Sequence, residues 1–108
     1  MSDTAKIREM NDQLRTTFCG GRVVMTDSIA SLPDEERIDI MRAVVAFSDF
    51  SKDNDPYGEH DFGSFTCLGQ RCMFKIDYYD KELKFHSPDP SDPAVTTRVL
   101  TVMLASDY

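Results

Sequence analysis

The chain has no tryptophan, only three cysteines and few basic residues. It also has no apolar run near the roughly 18 residues that a membrane span needs, so a spanning helix is excluded. The start MSDTAKIREM lacks the apolar core of a secretory leader. Cys19, Cys67 and Cys72 cannot all pair with one another, which argues against a secreted disulfide framework. Twelve Lys and Arg stand against 19 Asp and Glu, a formal charge of −7. Such a chain is repelled by nucleic acid and by anionic membrane surfaces. Its natural partners are cationic: metal ions, amines, or basic grooves on other proteins. There is no repeat, low-complexity tract or linker, so residues 1–108 are expected to form one soluble, cytoplasmic domain.

What is present is apolar enough, at 41%, to build a core. Ile7, Met10, Leu14 and Phe18 recur at helical spacing over residues 3–18, and Gly20-Gly21 is a stop signal. "RVVMT" at 22–26 reads as a short strand. Ser31, Pro33 and the acidic run Asp34, Glu35, Glu36 mark the start of a second helix reaching about Phe50, which should bury Ile38, Met41, Val44, Val45 and Phe47. Residues 64–87 read as a three-stranded meander with turns at Gly69-Gln70 and Asp80-Lys81. Those registers place Phe65, Cys67, Cys72, Phe74, Ile76, Tyr78, Leu83 and Phe85 on one core face. Thr66, Lys75, Asp77, Tyr79, Glu82, Lys84 and His86 fall on the wet face, with Asp77 opposite Lys84. After the turn "SPDPSDP", Asp92-Pro93 and the spacing of Val95, Val99, Val102 and Met103 favour a last helix, although the β-branched content would also suit a strand. The expected class is α+β, order αβαβββα, with helices on one face of a small antiparallel sheet of about four strands.

The stretch "NDPYGEHDFG" at 54–63 concentrates the chemistry. Asp49, Asp53, Asp55, Glu59 and Asp61 face a single Lys52 in the segment from 49 to 61. An EF-hand is excluded, because Gly58 comes too late and Ser64 stands where the bidentate Glu belongs. One reading is an acidic recognition surface. The plainer one is that Asn54-Asp55-Pro56 and Gly58 build turns, while the carboxylates cap amides or face water. Cys67 and Cys72 resemble a zinc knuckle in spacing but fall on the core face, where cysteine packs as a small hydrophobe; no metal or other cofactor is expected. An acid–base set could be drawn from His60, Asp61, Asp77 and Tyr79, with a carboxylate fixing the tautomer of His60. No nucleophile elbow, phosphate-binding glycine loop or H-E-x-x-H motif accompanies it.

The stretches "NDPYGEHDFG", "KIDYYD" at 75–80 and "SPDPSDPAVTTRVLTVMLASDY" at 87–108 resemble an uncharacterised bacterial and phage family known as domain of unknown function 3768. "GGRVVMT" and "LPDEER" add weaker support. The resemblance implies a stand-alone domain often carried near mobile elements, and it transfers no catalytic residue. Such elements often encode small acidic proteins that block host defence complexes.

The favoured reading is therefore a non-enzymatic protein that binds and obstructs a basic, nucleic-acid-handling partner, of the anti-CRISPR or anti-restriction type. Asp53, Asp55, Glu59 and Asp61 would stand in for phosphates, and Tyr57 and Tyr79 would be the anchors. A small hydrolytic or metal-assisted enzyme centred on His60 and Asp61 is the alternative, and an oligomeric interaction module is a third.

Overall fold

The computed structural model describes residues 3–108. Helix α1 (Asp3–Thr17) is followed by strand β1 (Arg22–Met25), the single-turn helix α2 (Asp27–Ala30) and helix α3 (Asp34–Ala46). Strands β2 (Phe62–Cys67), β3 (Gln70–Tyr79) and β4 (Thr97–Leu104) come next, then a 3-10 turn (Ala105–Asp107). The α+β class holds, and the element order stays close to the expected one. The sheet runs β1-β4-β3-β2, with β1 parallel to β4 and the other pairs antiparallel. It is thus mixed, because everything from α2 to β3 serves as the crossover that a parallel pair requires.

Period-two alternation sends Cys72, Phe74, Ile76 and Tyr78 of β3, with Leu100 and Val102 of β4, to one face. Ile7 and Leu14 of α1, Ile29 of α2, and Ile40 and Val44 of α3 close over them. Helix α3 is rotated from the expected setting: Ile40 and Val44 are buried while Ile38 is 49% exposed. Phe18, just past the end of α1, likewise lies outside the core. Ser31 ends α2 instead of capping α3, whose N-cap is Pro33.

Two strand assignments need correcting. Residues 97–104, expected as helix, form β4, which pairs with β3 from Cys72↔Leu104 to Tyr79↔Thr97. Residues 82–87, expected as the third meander strand, make only an isolated bridge, Tyr79↔His86. The reason is competition for one edge. The long, β-branched β4 takes the side of β3 that the third meander strand needed, which leaves residues 85–87 only the short stretch beyond β2, where the Ser87 N–H donates to the Tyr78 carbonyl. Leu83 then takes a left-handed φ of 60° and Phe85 is 73% exposed. Asp77 stands opposite Val99, not Lys84, and pairs with Lys75 at 3.0 Å.

The β2–β3 hairpin turns at Leu68-Gly69, one residue earlier than expected, with both residues at positive φ. Phe65 therefore faces Cys72, and Gly63 faces Phe74. The displacement moves every pairing by an even number, so side chains keep their expected faces. Gly63 is where a missing side chain matters. A Cβ there would collide with the Phe74 ring and come within 2.8 Å of Phe47 Cε1. Gly63→Ala should accordingly cost about 1–3 kcal/mol by overpacking, read as a lower denaturation midpoint at unchanged m-value. A neutral result would show that the Phe47–Phe74 contact yields easily.

Candidate functional site

The acidic loop is fastened along its length to α1 and β3. Asn54 accepts the Ser51 N–H at 2.7 Å and donates to the Asp49 carbonyl at 2.7 Å, closing the first turn. Asp55 is buried and accepts the His60 N–H at 3.1 Å. From α1, Arg8 donates to the Gly58 carbonyl and Asn11 to the Glu59 carbonyl, each at 3.0 Å. The expectation of an exposed Asp55 is therefore corrected: its carboxylate satisfies the His60 amide, which turn geometry strips of a ladder partner.

His60 sits at a left-handed φ of 56° with its ring stacked on Phe50, centroids 3.9 Å apart. Its Nδ1 lies 2.9 Å from Asp12 Oδ1 and its Nε2 lies 3.6 Å from Asp55 Oδ2. Both nitrogens are thus directed at carboxylates of the same chain, and the Phe50 ring covers one face. Asp12 also accepts from Arg15 at 3.1 Å. Arg15 in turn donates to the carbonyls of Val44, Val45 and Phe47 at 3.0, 3.2 and 2.8 Å. A cation there satisfies the orphan carbonyls at the end of α3 and complements its dipole.

A second network is buried beneath. Asn11, with no exposed surface, donates to the Tyr78 hydroxyl at 2.7 Å and accepts from Arg98 Nε at 3.0 Å. Tyr78 donates to Glu59 Oε1 at 2.8 Å. Arg98 also donates to the Pro90 carbonyl and lies over the Tyr78 ring, 5.2 Å from its centroid. Burial, then the Glu59 hydrogen bond, pushes the Tyr78 phenol far above its ordinary pKa, so it acts as a donor and not as a phenolate. Burial also lowers the pKa of Arg98, yet a guanidinium stays charged. Glu59 is consequently an internal acceptor and not the free surface charge the sequence predicted.

The remaining predicted residues divide. Asp53 is exposed and Tyr57 is 78% exposed. Asp61 and Tyr79 come together at an open cavity of about 280 Å³, also lined by Ile76, Asp77, Tyr78 and His86. Burial raises the Asp61 pKa, and the nearby charges of Glu59, Asp55 and Asp77 add to that rise against the lowering by its own backbone hydrogen bond. His86, not His60, is the imidazole at this cavity. Its signal was present in the alternation that put Asp77, Tyr79 and His86 on the wet face. Asn11 and Arg15 were missed, though Ile7, Asn11, Leu14 and Arg15 share one face of α1. Cys72 is buried and Cys67 half-buried, and burial raises both thiol pKa values. Among the described residues no group of three or more His, Cys, Asp or Glu is arranged to hold a metal, and no helix is long and apolar enough to cross a membrane.

Comparison with curated proteins and with solved structures returned no match. A family model described as a protein of unknown function, DUF3768, matches residues 25–107, from the end of β1 through the 3-10 turn. That span covers well over half of the chain but leaves out α1, which holds the acidic loop. On this match the chain belongs to the DUF3768 family.

Proposed function

We propose that the protein is a non-enzymatic acidic inhibitor that acts in the cytoplasm by docking on a basic, nucleic-acid-handling protein, in the manner of anti-CRISPR or anti-restriction proteins. The observation that carries this reading is the cavity in which Asp61 and Asp77 meet the aromatic walls of Tyr79 and His86. At about 280 Å³ it falls below the roughly 300–1,000 Å³ typical of small-molecule pockets. It suits one lysine or arginine head group, held by Asp61 and an aromatic face, while Asp77 is already paired with Lys75. The exposed Asp53 and Tyr57 would add a further charge and an anchor, and the overall charge of −7 would speed encounter with a cationic surface. An enzyme centred on His60 finds less support, since both its ring nitrogens are directed at Asp12 and Asp55.

Asp61 makes the reading testable. The folded chain holds its proton more tightly than the unfolded chain, so its contribution to stability is greatest in acid. That contribution is lost as pH rises through the elevated pKa. Above that raised pKa the half-buried charge is destabilising, and Asp61→Asn should raise Tm there while leaving Tm in acid nearly unchanged. The same variant, and Tyr79→Ala, should weaken capture of a basic partner from the native host, with salt weakening wild-type capture as well. A more stable protein that binds less well marks a residue kept for its contacts. Capture insensitive both to salt and to Asp61→Asn would sink the proposal.

A further inference from the structure

Strand β1 is one edge of the sheet, with β4 as its only strand neighbour among the described residues. The Thr26 N–H donates to the Val102 carbonyl across that pair. Alternation along the ladder therefore turns the backbone N–H and C=O groups of Val23 and Met25 away from β4. An open edge of this kind is a template for another extended chain. Natural edges are commonly protected by charged side chains, proline or a bulge; "RVVM" carries one such residue, Arg22 at its start, and none over Val23–Met25.

Met25 joins this edge to an apolar concavity of about 420 Å³ that it lines together with Phe18, Ile38, Met41 and Val45. Phe18 is 40% exposed, Val24 44% and Ile38 49%, so large side chains sit in water along the strand and beside it. The charge is as informative as the shape. In a chain of net −7, this groove is lined by Arg37 and Arg42 and by no carboxylate. Arg37 is engaged with Asp34 and the carbonyls of Ala30 and Leu32. The Arg42 side chain is 79% exposed and reaches Asp39 only at 3.9 Å, which leaves it able to take a carboxylate from outside.

We infer that β1 and the α3 groove form a docking site for an extended segment of another protein that carries apolar side chains next to carboxylates. The segment would add as a strand beside Val23–Met25 and seat an apolar side chain among Met25, Ile38 and Met41, with an acidic side chain on Arg42. This surface is separate from the carboxylate cavity and selects the opposite charge, so the two can be tested apart.

The probe is a short, end-capped synthetic peptide of alternating isoleucine and glutamate, titrated into the isotope-labelled full chain and followed by NMR. Amide shifts should concentrate at Val23–Met25, and methyl shifts at Ile38 and Met41. A peptide with lysine in place of glutamate, and one N-methylated at alternate backbone amides, should each bind about tenfold more weakly, roughly 1.4 kcal/mol. Arg42→Glu, at a side chain too exposed to threaten the fold, should reverse the preference between glutamate and lysine peptides. No localised shifts at millimolar peptide, or equal binding of the N-methylated peptide, would overturn the proposal. A sedimentation result showing a dimer that dissociates on Val24→Lys would assign the edge to a second copy and overturn it too.

Discussion

Phe74→Ala should leave the domain near its folding limit. The ring is fully buried, meets Phe47 edge-on at 5.3 Å, approaches Phe50 at 6.5 Å, and has the Arg15 guanidinium 5.7 Å above it. Losing it removes transfer free energy and opens a cavity that backbone-bound neighbours cannot readily fill, about 3–5 kcal/mol in comparable sites. Small domains have roughly 5–15 kcal/mol in total, so urea unfolding of the variant should begin almost without a native baseline. Phe85→Ala is the matched control. With Phe85 73% exposed, its loss should stay within about 0.5 kcal/mol. Comparable losses at both positions would mean that the 80–86 segment, and not β4, lies against β3.

Asn11→Ala should come next in size, at about 3 kcal/mol or more. The side chain removes no large apolar volume, so the expected loss is one of pairing. It strands the Arg98 Nε, takes a partner from the Tyr78 hydroxyl and releases the Glu59 carbonyl. A buried polar group left unpaired costs roughly 1–3 kcal/mol, and more when charged. A double-mutant cycle with Tyr78→Phe should give a coupling of about 0.5–3 kcal/mol. Amide exchange at Glu59 and His60 should accelerate in the single variant, because the loop is no longer held to α1. Simple additivity with unchanged exchange would show that the loop is fastened elsewhere.

The sequence showed most where one rule acted alone. α1 and the start of α3 follow from spacing, Pro33 and acidic residues, and the β2–β3 hairpin keeps its faces because an even displacement of the register preserves them. It misled where tertiary partners decided. "TRVLTVML" contains residues at helical spacing and a dense β-branched set, and only the slot between β1 and β3 makes it a strand. "ELKFH" alternates like a strand and keeps only the bridge from His86 to Tyr79. The turn at Leu68-Gly69 was hidden because leucine at positive φ is not a turn signal, whereas Gly69 suited either register. The acidic loop was legible as composition and not as function. Nothing local tells Asp55, which is buried, from Asp53, which is exposed. That difference is set by Arg8, Asn11 and Asp12, more than 40 residues earlier.

Strand β4 lies between β1 and β3, and both partners precede it in the chain. During synthesis, at about 5–20 residues per second, the ribosome releases three strands, two of them exposing edges that β4 will later occupy. The parallel pairing to β1 closes a separation of 77 residues, Arg22 to Val99, and such distant contacts slow folding. A nascent chain interrupted before Thr97 would hold a hairpin and loose helices but no closed core, with Phe74 and Ile76 still wet. Such fragments should be prime substrates for chaperones and proteases. For a cell making this protein, folding is therefore a late, nearly all-or-none event timed by the arrival of eight residues.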